Sequence, residues 1–174
     1  MSEEQRLAGV EKLSLVYFKL LSSTDWDDAL LVAGLREGLN KFLSNAHLAS
    51  FPAATSTRPA LQQLEAGRHT GLVWEHLVPK TAYIQEPCER RARARTLTLD
   101  FIRDRLQRFW FLATITTEED RLLARVSMPE GWDGMDVLAR YSEAGLTLIP
   151  NPYFEHLTDG PLEQQLRRIQ RIRN

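Results

Sequence analysis

Apolar residues recur at three- and four-residue intervals from Leu7 through Val10, Leu13, Tyr17, Leu20 and Leu21, which predicts an amphipathic helix. The polar stretch "SSTDWDD" interrupts that period, and Thr24 followed by Asp27 reads as the N-cap of a second helix. Leu31, Leu35, Leu39 and Phe42 form the apolar face of that helix. The segment "NAHLASFPAATSTRP" reads as a loop from its Ala, Ser, Thr and Pro content. Pro59 then opens a short helix that runs to Glu65 and is closed by Gly67.

Beyond Gly67 the pattern shortens. "TGLVWEH" and "FWFLATIT" (Phe109 to Thr116) are short, apolar and rich in strand-forming residues. An arginine-rich connection and a helix from Leu99 to Arg108, capped by Thr98, lie between them. After the second strand, Thr117 with Asp120 marks the start of the helix "TTEEDRLLAR". "DVLARYSEAG" predicts a further helix closed by Gly145, and "LTLI" a third strand. The last segment, "PLEQQLRRIQRIR", is amphipathic, with Leu162, Leu166 and Ile169 on one face and arginines on the other. The expected fold class is α+β in a single domain. Residues 1–57 form a helix-rich N-terminal part, 68–125 a small ββα unit, and 126–174 a C-terminal part ending in the amphipathic helix.

Composition narrows the function classes. At 174 residues, with 43% hydrophobic and 26% charged residues, the chain can bury a core without disulfide or metal staples. Its one cysteine, Cys88, has no internal partner, and the acidic N-terminus "MSEEQRLAGVEK" lacks a signal core, so a reducing cytoplasm is expected. No apolar run approaches a membrane span, and no membrane partner is expected.

The net charge of −1 conceals a segregation. Residues 86–108 hold seven arginines against four acids, whereas residues 118–159 hold nine acids against three arginines. Arg90, Arg91, Arg93 and Arg95 in "ERRARAR" can grip a phosphate backbone or simply form a solvated face. The acidic 118–159 segment suits a protein partner, because it repels nucleic acid. Trp132 and Tyr141 are expected to pack rather than to stack on bases. His47, His69 and His156 have no carboxylate at ligand spacing.

The sharpest motif is "EHLVP", where a strand ends in Glu75-His76 with Pro79 three residues on. The residues alone allow two readings, a solvated strand end or a site built for proton transfer. The motif resembles the acid-His-x-x-Pro signature of the HNH, or His-Me finger, nucleases, well over 70–80 and more loosely over 109–125. That resemblance implies a divalent-metal-dependent endonuclease acting on DNA, or less readily RNA. It assigns His76 as the general base. It further implies that Glu75 and an acid of "TEED", Asp120 first and Glu119 second, hold a Mg²⁺ or Mn²⁺ ion. Physical chemistry supports such a division of labour, since hard cations take carboxylate oxygens and leave positions for water and phosphate. A non-catalytic partner or regulator protein, or a nucleic-acid-binding module with an inactive finger, stands as the alternative.

Overall fold

A computed structural model describes residues 3–45 and 55–152. Helices α1 (Glu3–Ser23) and α2 (Ala29–Asn45) open the chain as the periodicity predicts. The boundary between them differs. Thr24 closes α1 by donating its hydroxyl to the Leu20 carbonyl, and Asp28 Oδ1 accepts from the Leu30 and Leu31 amides to start α2. Asp28 takes the capping role because it alone stands one residue before the first helical turn, within reach of those two N–H groups.

Four short strands form one mixed sheet in the order β2-β3-β1-β4. Strand β2 (Leu72–His76) pairs antiparallel with β3 (Leu112–Thr116), with Leu72 opposite Thr116 and His76 opposite Leu112. Strand β1 (Thr55–Thr57) runs parallel to β3 and antiparallel to β4 (Leu148–Pro150). The segment expected to be all loop therefore supplies an inner strand. Its residues are Thr-Ser-Thr, all but fully buried, and a polar strand of three gives no hydrophobic alternation to detect. Helix α3 (Arg58–Glu65) follows at once, with Thr57 as N-cap and Pro in the first turn.

The connection between β2 and β3 is helical rather than open. A π-helical turn (Thr81–Gln85) runs into α4 (Glu86–Arg93), and α5 (Leu99–Phe109) follows with Thr98 accepting from the Phe101 amide. Phe109 belongs to α5, which delays β3 to Leu112. Ile84, Cys88, Ile102 and Leu106 face Val10, Leu13, Tyr17 and Leu21 of α1 in one buried cluster. Removing each such side chain from water contributes roughly 1.5–3 kcal/mol before entropy is counted.

After β3 comes α6 (Thr117–Asp120), a single turn. Its capping box is Thr116 with Glu119, one residue earlier than the sequence pattern suggests, and the expected helix through "RLLAR" does not continue. Helix α7 (Ala139–Glu143) is likewise shorter than the stretch "DVLARYSEAG". Gly145, at φ 72°, takes the left-handed conformation that closes it. The C-terminal amphipathic segment, His47 and His156 lie outside the described residues. Among those described, no helix is long and apolar enough to cross a membrane.

Candidate functional site

Strand β2 is an edge strand, and its end builds the site. Alternation sends Trp74 and His76 to one face and Glu75 to the other. All three nevertheless line a single cavity of about 740 Å³, together with Lys80, Thr81 and Arg125. Leu77 extends the pairing by one bond, its N–H donating to the Phe111 carbonyl at 3.0 Å. The chain turns at Pro79, whose carbonyl accepts the first helical bond, from the Tyr83 N–H at 3.2 Å.

His76 is 7% exposed, and its Nδ1 finds no hydrogen-bond partner among the described residues. Burial, then the nearby charges of Lys80 and Arg140, push its pKa down to about 3. The imidazole is therefore neutral at physiological pH and keeps a lone pair. Lys80 is itself lowered by burial, with Glu75 opposing the shift.

Arg140 organises the other side. Its guanidinium, 1% exposed, donates to Glu75 Oε1 at 2.7 Å, to the Ala124 carbonyl at 2.7 Å and to the His76 carbonyl. A buried guanidinium is tolerated only when so engaged. The contacts tie α7 and the 121–138 segment to the end of β2. The neighbouring Tyr141 hydroxyl is buried without a partner of good geometry. Its pKa is raised, first by burial and then also by the charges of Glu75 and Asp120. Arg140 is legible in the sequence only as an oddity, a charge between Val137, Leu138 and Tyr141. Lys80, Arg125 and Trp74 carried no signal beyond their closeness to the motif or to the acidic segment.

The expected metal ligands are only partly brought together. The antiparallel register sets the start of α6 beside Leu72, with the Thr117 N–H donating to the Gly71 carbonyl at 2.8 Å. At roughly 3.3 Å per residue, that start lies about 13 Å along the strand from His76. Glu119 is committed to structure, since Oε2 accepts from Thr57 Oγ1 at 2.7 Å and from the Thr116 N–H at 2.9 Å. The charge of Asp120, like that of Glu75, helps to raise the Tyr141 pKa. Among the described residues, no three His, Cys, Asp or Glu side chains group closely enough to hold a metal ion. Of the ligands that the resemblance implies, Glu75 lines the cavity, whereas Asp120 and Glu119 do not.

The arginines divide. Arg91 lies over the Phe101 ring at 4.0 Å, while Arg93 pairs with Glu89 and lies over Trp26 at 4.7 Å, so both serve packing as well as charge. All four are exposed, Arg90 and Arg95 included. Several acids of the 118–152 stretch are turn caps, Asp133 accepting from the Met135 amide and Asp136 from that of Leu138. Trp132 packs edge-on against Tyr83 at 5.2 Å, and Tyr141 is buried, as the expected packing role requires. His69 is exposed.

The fold and site together define an α+β protein with a cavity at a sheet edge lined by charged and apolar side chains. No family model, curated protein or solved structure matches the chain.

Proposed function

We propose that the cavity at the end of β2 binds and hydrolyses a phosphodiester, with DNA preferred over RNA and His76 accepting the proton of the attacking water. One observation carries this reading: Glu75 and His76, side by side in sequence, line the same hollow as Lys80 and Arg125. In the reaction, the water oxygen forms a bond to phosphorus, the water proton passes to the imidazole, and the bond to the leaving oxygen breaks as that oxygen takes a proton from solvent. Lys80 and Arg125 stabilise the charge that builds on the phosphate oxygens. A bound phosphate also raises the affinity of His76 for a proton, because it favours the imidazolium. The depressed pKa of the free protein is then a resting property rather than a barrier to base catalysis.

The dependence on Mg²⁺ or Mn²⁺ belongs to the same proposal, with Glu75 the one member of the expected ligand set that reaches the cavity. Ligating carboxylates are commonly held by a further hydrogen bond, and Arg140 supplies one to Glu75. The test is cleavage of a labelled duplex DNA and a structured RNA with either metal, beside EDTA. Cutting that requires neither metal nor His76 sinks the proposal.

A second reading, binding without catalysis, is favoured by the engagement of Glu119 in the α6 cap and with Thr57. Its ligand is nucleic acid on the arginines or a protein on the acidic 118–159 segment. Affinity for DNA that falls steeply with salt selects the first of these.

A further inference from the structure

The start of a helix lines the cavity. Residues 80–93 form one continuous helical run, the π-helical turn followed by α4. Pro79, Lys80, Thr81 and Ala82 all line the cavity. The first bond of the run goes from the Tyr83 N–H to the Pro79 carbonyl, so the amides of Thr81 and Ala82 precede it and have no helical acceptor. No side chain caps this start. The π-type bond, from the Glu86 N–H to the Thr81 carbonyl, widens the first turn. His76 lines the same cavity, more than nine-tenths buried and with Nδ1 unpartnered. Lys80 and Arg125 contribute two cations at the same opening.

We infer that the amides of Thr81 and Ala82, with Lys80 and Arg125, form a seat for one phosphate group, held against His76 by the start of the 80–93 helix. Uncapped N–H groups and the positive end of the helix dipole both favour an anion there. The inference deepens the proposed function by saying where its substrate phosphate lies, and it rests on that reading only for the identity of the ligand. Glu75 and Glu86 also line the cavity. They oppose unselective anion accumulation, and Arg140 offsets the charge of Glu75.

Amide NMR of the full chain tests this at pH 7, titrating inorganic phosphate, thymidine 5′-monophosphate and the diester thymidylyl-thymidine, with chloride at matched ionic strength. The expected result is saturable shifts of the Thr81 and Ala82 amides with phosphate and the diester, and none with chloride. Shifts with phosphate and the monophosphate alone support the seat and restrict it to chain ends. Thr81→Asp places a carboxylate at an exposed helix start, where it favours folding, and is expected to abolish the shifts while leaving the unfolding midpoint unchanged or higher. Arg125→Gln weakens phosphate binding about threefold to tenfold. Absence of shifts with every phosphate compound, or equal shifts with chloride, overturns the inference. Saturable shifts in a protein that cuts nothing keep the seat and remove the hydrolase; cutting without shifts does the reverse.

Discussion

Arg140 Nη2 lies 2.7 Å from Glu75 Oε1, which joins the last helix of the described core to the residue that precedes His76. The guanidinium is buried and the carboxylate one-quarter exposed. Glu75 lines the cavity and Arg140 holds it from α7, so the geometry of the β2 end depends on a residue 65 positions away in sequence.

Arg140→Ala removes the donor to three acceptors at once. The carbonyls of His76 and Ala124 are left without it in a buried setting, and a loss of about 3 kcal/mol is expected. Arg140→Lys keeps the charge but cannot fork to three acceptors, and falls between. Urea unfolding of both variants checks this order. Equal stability of all three proteins would show that the contacts contribute nothing.

The neutral imidazole sets a pH dependence of stability. His76 has its folded-state pKa depressed to about 3, so the folded chain binds fewer protons than the unfolded chain below the ordinary histidine value. Stability from this group is present above about pH 6.5 and declines as pH falls toward 3, at up to about 1.4 kcal/mol per unit. Between pH 7 and pH 5 the loss is about 2 kcal/mol on that slope. His76→Gln is expected to flatten the profile in this window, read from unfolding midpoints at each pH.

Much of this was legible in the sequence, for reasons that differ by element. Helix α1, helix α5 with its Thr98 cap, and the β2 and β3 strands follow hydrophobic period and capping chemistry, which are local. β1 was invisible because its polar residues are buried by partners far along the chain. α4 was masked by its arginines, which read as a solvated connection although Cys88 and Ala92 form a buried face. At the site, "EHLVP" marked the strand end, while Arg140 and the helix start at Lys80 converge there only through tertiary structure. The acids of "TEED" have two local explanations, and for Glu119 the cap is the one the structure shows.

Glu119→Ala is accordingly expected to cost about 1 kcal/mol through the lost cap and to leave cleavage unchanged. Asp120→Asn reports separately on the other candidate ligand. A Glu119 variant that folds normally but no longer cuts would return it to the catalytic set.

Among the arginines, Arg90→Gln and Arg95→Gln are expected to lower DNA affinity and reduce the salt slope by about one each. Arg91→Gln and Arg93→Gln should instead lower stability, because they lose ring and Glu89 contacts. Fluorescence anisotropy over a salt series, with thermal unfolding beside it, separates the two pairs. An identical effect from all four would remove the distinction.

The central claim is that His76 takes a proton from water at this cavity, and the most direct measurement is the plasmid-cutting rate of the unaltered chain against His76→Gln. Both are compared at equal folded fraction with Mg²⁺ or Mn²⁺ present. The glutamine holds volume and polarity but cannot accept the proton, so a fall of at least about 10²-fold in rate is expected. Equal rates, or no cutting by the unaltered chain under any of these conditions, would contradict the account.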